Sequence, residues 1–405
     1  MSQLLSAAST QFGRLPFLVQ GSSQLTFAEA EESVEHRAAQ LPGAGVIAIV
    51  PTIGFESVIE IFAALRVGAA AVLVPRHWPA ARVSEQLARI EPSSLSETVI
   101  FTSGSSGEPK AVRLTHVNWR RAATASSEFY EFGPGLRWLL TLPLFHVGGL
   151  SILFRALVSG GAAVLAPQLA PEVLDECDLA SLVPSQLLKL AEMRPPSQAR
   201  LLIGGAPLAP ALIAKAAGWH IDRTYGMTET AAVIASGPPT SEWMTVFEGI
   251  EITATPDGRL QVRGEQVSPG YVGEPERLPD EWFVTSDLGL VKGREILVSG
   301  RADRTIITGG ENVDPTEIER VLSRYAGVTD VVVIGLPDEQ WGEVVALVYS
   351  GSVSEDDLAA FVETHLGRTA RPRRIRRMAE IPRNNLGKPD SVSIISALGG
   401  ENRHS

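Results

Sequence analysis

Nine consecutive residues, Thr102-Ser103-Gly104-Ser105-Ser106-Gly107-Glu108-Pro109-Lys110, gather four hydroxyls, two glycines and a lysine in one short stretch. Glycine permits backbone conformations that let successive amide N–H groups face a common centre, which is how a loop cradles phosphate oxygens. The hydroxyls add donors, and Lys110 adds a mobile positive charge. A Walker A loop is excluded, because no Gly-Lys-Ser/Thr follows at the required spacing. A flexible surface turn is the plainer alternative for a Ser/Gly cluster. The density of hydroxyls and the Pro-Lys close weigh against it.

Three further groups carry chemistry. In Tyr225-Gly226-Met227-Thr228-Glu229-Thr230, Gly226 would permit a tight turn and Tyr225 offers a flat face for a purine. Glu229 there is a hard oxygen ligand suited to Mg²⁺. The competing reading is a loop with an N-capping Thr or Glu. Asp287, with Arg301 and Asp303, could accept both hydroxyls of a ribose while the arginine braces it; a surface salt bridge is the ordinary alternative. Pro382-Arg383-Asn384-Asn385-Leu386-Gly387-Lys388 ends on a glycine-preceded lysine, a residue usually just solvated.

The elements that must position these groups follow from periodicity. A helix is expected over 25–40, with Thr26 as N-cap and Phe27, Ala30 and Val34 on one face. The apolar run 45–51 reads as a buried parallel strand, followed by a helix at 56–66 and a strand at 70–74. Strands at 98–102, 138–142, 162–165 and 201–204 alternate with helices at 117–131 and 150–159. The fold class is therefore α/β, a large N-terminal domain of layered sheets covered by helices. After about residue 245, stretches 246–252, 259–263 and 295–299 alternate polar and apolar side chains, with a turn at Pro256-Asp257-Gly258, giving a small β-rich subdomain. Helices at 315–324 and 355–366 and strands at 328–334 and 344–349 form a last α+β unit. The expected domains are 1–300 and 301–405.

Composition sets the outer limits. The chain has 405 residues, 44% of them hydrophobic and 20% charged, with a formal net charge of −11. That charge argues against nucleic-acid or acidic-membrane partners. One cysteine, Cys177, leaves no internal disulfide and suits a reducing compartment. Residues 1–20 hold one arginine and no long apolar core, so neither a signal peptide nor membrane insertion is expected, and a cytoplasmic location is the default. A homodimer is only the base-rate expectation. The one strong charge run, Arg368 to Arg377, reads equally as a solvated face or a phosphate contact.

In order and wording, the four groups resemble the signatures of the AMP-forming adenylate superfamily, which includes acyl-CoA synthetases, nonribosomal-peptide adenylation domains and luciferases. The resemblance extends over Leu25-Thr26-Phe27, the phosphate loop, 143–149, 204–208, 225–230, 282–287, 300–312 and 382–388. It implies a two-step ligase using ATP, Mg²⁺ and coenzyme A on a small-molecule carboxylic acid, with the C-terminal unit a mobile lid. Thr102, Ser103, Gly104, Ser105, Ser106, Gly107 and Lys110 would hold the β- and γ-phosphates. Thr228 would contact the α-phosphate and Glu229 the metal. Gly205, Ala206 and Pro207 would lie along the adenine, with Tyr225 and Gly226 against it, and Asp287 and Arg301 would hold the ribose. Lys388 would bridge the α-phosphate and the carboxylate oxygen. The lid would pivot at Asp303 and bring Gly309 and Gly310 in to line a thiol tunnel, while the basic run 368–377 meets coenzyme A phosphates.

Three positions depart from the usual wording: Ser286 for a glycine, Glu108 for a neutral residue, and no hydrophobic–x–Arg after Lys388. The compact chain and Leu142-Pro143-Leu144-Phe145-His146-Val147-Gly148-Gly149 resemble o-succinylbenzoate–CoA ligases of menaquinone synthesis, with other aryl or medium-chain acids as alternatives. His146 would sit beside the acyl pocket, with Gly204, Ser185 and Gln186 as further lining; a structural histidine capping a turn is the rival reading. An amino-acid-activating domain would carry an aspartate where His146 stands, and no carrier domain follows, although a stand-alone enzyme loading a carrier protein fits too. A non-catalytic regulator would have little reason to keep Lys110, Glu229, Asp287, Arg301 and Lys388 together.

Overall fold

The computed structural model of the protein describes residues 2–90, 97–103, 109–193, 196–309, 311–383 and 389–399. The expected first helix is Phe27–Ala38, entered through a reciprocal cap: Thr26 Oγ1 accepts from Glu29 N at 3.2 Å, and Glu29 Oε2 accepts from Thr26 N at 2.8 Å. Such a cap contributes about 1 kcal/mol. Phe27, Ala30, Val34 and Ala38 fall on its buried face, as the spacing requires.

Among the described residues, three sheets organise the chain. The largest has thirteen strands. Its centre is parallel: Pro16–Gln20, Ala162–Leu165, Arg137–Leu140, Leu179–Leu182, Arg200–Ile203 and His220–Met227 lie side by side in that order. The parallel strands are short apolar runs, buried on one face by helices His116–Phe129 and Val147–Ser159 and on the other by helix Pro184–Met193. From His220–Met227 the sheet continues antiparallel through Ala232–Gly237, Met244–Val246, Glu295–Arg301, Phe283–Lys292, Arg259–Arg263 and Glu251–Ala254. The β-rich segment after residue 245 thus hydrogen-bonds into the large sheet instead of forming one of its own. Strand alternation shows that one face is buried, yet it is silent about which neighbour supplies the ladder.

The second sheet runs Gly270–Tyr271, Pro109–Thr115, Glu97–Ser103, Ala70–Leu73, Val46–Ile49. Val46–Ile49 pairs in parallel as its apolar run suggests, but it is the edge, half exposed. The third sheet joins Glu311–Val313, Ile306–Thr308, Gly342–Gly351 and Val328–Asp338, covered by helices Pro315–Leu322 and Glu355–Leu366. Part of the basic run, Arg374–Arg377, forms an edge strand parallel to Gly342–Gly351, an element its charge gave no reason to expect. No helix among the described residues is long and apolar enough to cross a membrane.

Candidate active site

The phosphate-loop candidate closes a hairpin. Glu97–Ser103 and Pro109–Thr115 pair antiparallel, with Thr102 opposite Lys110 and Ser103 opposite Pro109. Thr102 Oγ1 donates to the Lys110 carbonyl at 3.5 Å, and the Lys110 ammonium stands 4.9 Å from the centre of the Tyr271 ring. Gly104, Ser105, Ser106 and Gly107, which join the strands, lie outside the described residues, as do Gly310 and Lys388.

Glu229 sits in a single 3-10 turn, Thr228–Thr230, at the end of strand His220–Met227. The turn is fixed by Thr230, whose Oγ1 accepts from Met227 N at 3.1 Å and lies 2.8 Å from the Ala232 carbonyl. Ala231 and Ala232 leave it with φ of +52° and +101°, conformations that cost an alanine about 1–3 kcal/mol each. Gly226 does not make the expected turn. It lies within the strand at a register shift, where a Cβ would meet the Ala232 carbonyl oxygen at 2.1 Å. Close approach of the returning strand is what requires glycine there. Glu229 Oε1 accepts from Tyr271 Oη at 2.8 Å, and the Glu229 carbonyl accepts from Ser268 N at 2.7 Å. Burial and the facing Glu229 push the Tyr271 phenol well above its ordinary range, so it is a donor.

On the other side of the same segment, Tyr225 Oη donates to Asp287 Oδ2 at 2.8 Å, and Arg301 Nη1 donates to Asp287 Oδ1 at 3.1 Å. Arg301 also grips Asp303, with Nε at 2.8 Å and Nη2 at 2.6 Å from its two oxygens. Asp287 and Arg301 are direct cross-strand partners, which is why fourteen residues of separation bring them together. Asp287 is 8% exposed, and its N–H donates to Thr285 Oγ1 at 3.0 Å. Burial, then the Asp287 charge, raises the Tyr225 phenol; the hydrogen bond to Asp303 holds the Arg301 guanidinium above its usual range. The Tyr225 ring packs on the apolar clusters around Ala235 and Ile234.

Gly204, with Gly205-Ala206-Pro207 after it, follows strand Arg200–Ile203, and Ser185 and Gln186 open helix Pro184–Met193 after strand Leu179–Leu182. Both groups therefore lie at the carboxyl ends of parallel strands, where open α/β sheets place their ligands. Gln186 is already engaged: its Oε1 accepts from Val183 N at 3.1 Å. His146 precedes helix Val147–Ser159 without a side-chain cap bond, half-buried, its ring 4.4 Å from Phe145. Gly309, at φ +60°, turns the hairpin between Ile306–Thr308 and Glu311–Val313, and a Cβ there would meet the Trp341 ring at 2.9 Å. The basic run reaches this corner: Thr369 Oγ1 donates to Glu311 Oε2 at 2.7 Å, and the Arg373 guanidinium lies 4.1 Å over Trp341.

Two residues were not picked out from sequence. Tyr271 sits in a Gly-Tyr pair with no periodic signal. Arg155 interrupts the apolar helical run 150–158, which was a usable signal. Arg155 is 2% exposed, its Nε donates to Ser126 Oγ at 2.9 Å, and its guanidinium lies 4.5 Å over Trp138. No carboxylate faces it among the described residues, and desolvation pulls its pKa down to about 10. No group of three His, Cys, Asp or Glu among the described residues could cage a metal. A lone Glu229 carboxylate still fits Mg²⁺, which takes one or two carboxylates and completes its shell with water and substrate phosphates.

The AMP-binding enzyme model matches residues 96–274, and the AMP-binding enzyme C-terminal domain model matches residues 317–388. The 2-succinylbenzoate–CoA ligase of Listeria monocytogenes serotype 4b is 32% identical over 321 residues, covering 73% of this chain and 68% of that one. The enzyme of the same name from Bacillus cereus strain Q1 is 33% identical over 335 residues, covering 73% and 69%. Two solved structures share the fold. The o-succinylbenzoate CoA synthetase of Bacillus subtilis with its acyl-adenylate superposes with a TM-score of 0.83 at 24% identity over 98% and 99% of the two chains. ATP-bound MatB of Rhodopseudomonas palustris gives 0.85 at 19% identity over 97% and 98%.

Proposed function

This chain belongs to the AMP-binding enzyme family, and we propose that it is an AMP-forming ligase joining o-succinylbenzoate to coenzyme A in menaquinone biosynthesis. One observation carries the site assignment. Residues 225–230 hold Tyr225 against the Asp287–Arg301 pair on one side and Glu229 against Tyr271, over whose ring Lys110 stands, on the other. That spacing suits a nucleotide whose ribose lies at the first pair and whose phosphates lie at the second.

In the first half-reaction, a carboxylate oxygen attacks the α-phosphorus and the bond to the β-phosphate breaks, releasing pyrophosphate. Asp287 accepts from the ribose hydroxyls while Arg301 keeps its carboxylate oriented. Lys110 and the hairpin loop hold the β- and γ-phosphates. Thr228 contacts the α-phosphate. Lys388 bridges that phosphate and the attacking carboxylate, placing an ammonium where charge builds. Bound to Glu229, Mg²⁺ supplies neutralising charge to the phosphate oxygens. In the second half, the thiol sulfur attacks the acyl carbonyl and AMP leaves. We assign residues 1–300 to the nucleotide- and acyl-binding domain and 301–405 to a lid pivoting at Asp303. Gly309 and Gly310 would then line the pantetheine path, and Arg373 and its neighbours would meet coenzyme A phosphates.

The acid is supported by the relatives and by Arg155. o-Succinylbenzoate carries a second carboxylate, and Arg155 is a buried cation that no carboxylate faces among the described residues. A homodimer in the cytoplasm completes the proposal, the location resting on the single cysteine of the chain. Turnover of o-succinylbenzoate, benzoates and medium-chain fatty acids with coenzyme A and ATP tests the acid. Thioester formation with the first at a kcat/KM at least tenfold above the others is expected; preference for another acid refutes it.

A further inference from the structure

Tyr271 connects two sheets across the phosphate side of the site. Its strand, Gly270–Tyr271, pairs with the phosphate hairpin, with Tyr271 opposite Val112 and two positions from Lys110. Its hydroxyl reaches out of that sheet to Glu229, in the turn that follows strand His220–Met227 of the large sheet. The linkage is anchored on both flanks: Ser268 N donates to the Glu229 carbonyl at 2.7 Å, and Ser268 Oγ donates to the Arg113 carbonyl at 2.6 Å. Asn118 Nδ2 holds the preceding chain through the carbonyls of Glu265 and Val267, at 2.7 and 3.0 Å.

The chemistry of this arrangement is specific. A carboxylate on a one-turn helix has rotational freedom that a metal ligand must lose on binding. The phenol fixes Oε1 by a hydrogen bond to a charged acceptor and leaves Oε2 for a cation. The ring has a second use, because the Lys110 ammonium stands over its face at 4.9 Å, within range of a cation–π attraction. One side chain thus orients both a carboxylate and a cation that would address the same triphosphate.

We infer that Tyr271 is a positioning residue for the metal–nucleotide complex: its hydroxyl sets the carboxylate of Glu229 for the divalent cation, and its ring sets Lys110 for the β- and γ-phosphates. The inference rests on Glu229 being the metal ligand. The two functions separate by substitution. Tyr271→Phe removes the hydroxyl and keeps the ring, while Tyr271→Leu removes both.

The test is binding, read apart from turnover. Retention of Mn²⁺ in the presence of ATP is followed by the loss of its free electron-paramagnetic-resonance signal, and ATP affinity in EDTA by calorimetry. Tyr271→Phe is expected to weaken Mn²⁺ retention about fivefold, the worth of one net hydrogen bond. Its metal-free ATP affinity should match the parent chain. Tyr271→Leu should in addition weaken metal-free ATP binding, about fivefold by the same measure. Unchanged Mn²⁺ retention in Tyr271→Phe, with retention lowered in Glu229→Gln, overturns the inference and spares the metal assignment. Unchanged retention in Glu229→Gln removes the metal assignment and the inference with it.

Discussion

Tyr225 and Asp287 are 62 residues apart in the chain and joined by a 2.8 Å hydrogen bond inside the large sheet. The bond fixes one carboxylate oxygen while Arg301 fixes the other. On the proposed reading this carboxylate is aimed at a ribose before the nucleotide arrives. Asp287→Ala should raise the KM for ATP at least tenfold with little change in the KM for the acid. It also strands a buried phenol, so stability should fall by about 1–3 kcal/mol in denaturant titration. An unchanged KM for ATP would remove Asp287 from the nucleotide site.

The same phenols set an alkaline limit. Tyr225, Tyr130 and Tyr271 are all raised above the ordinary tyrosine value of 10, by burial first and, for Tyr225 and Tyr271, by the carboxylate each faces. Unfolded tyrosines release protons near pH 10 that the folded chain keeps. Their contribution is therefore complete below pH 10 and declines above it. Denaturant midpoints between pH 8 and 11 should be flat and then fall, and Tyr225→Phe should make the fall shallower. A midpoint that rises above pH 10 would contradict the burial of these groups.

Gly226 tests how tightly the strand behind Glu229 is built. A methyl group there meets a backbone carbonyl oxygen at 2.1 Å, which no side-chain rotation relieves. Gly226→Ala should cost about 1–3 kcal/mol of stability, as overpacking usually does, and lower adenylate formation at least tenfold. Parent-like activity with parent-like melting would show the strand to be slack.

Much of this architecture was legible in the sequence because it rests on local signals. The cap at Thr26 and the apolar strand runs each state their structure within a few residues, and Asp287 and Arg301 face each other across a single hairpin. Pairing was less legible. Nothing in the alternating segments after residue 245 says that they extend the large sheet, since register and neighbour choice are settled by packing elsewhere. Gly226 differs from its expected turn for the same reason: its glycine answers a strand that returns six residues later, opposite to it. Tyr271 was invisible because its two partners, Glu229 and Lys110, are 42 and 161 residues away. Arg155 does carry a local signal, a charge in the middle of an apolar helical run.

Arg155 gives the substrate prediction. If a second carboxylate of the acid neutralises it, Arg155→Lys should raise the KM for o-succinylbenzoate at least tenfold and leave the KM for ATP within twofold. Simple benzoates, which have no such group, should respond little. Equal losses for all acids, with a lowered melting temperature, would make Arg155 a packing residue only.

The central claim is adenylate chemistry on a carboxylic acid, and pyrophosphate exchange reports it before any thiol is involved. Incorporation of labelled pyrophosphate into ATP should require o-succinylbenzoate in the parent chain and drop at least a hundredfold in Lys388→Ala, which should still convert preformed o-succinylbenzoyl-adenylate and coenzyme A to thioester. Exchange without acid, or exchange at full rate in Lys388→Ala, would contradict the account.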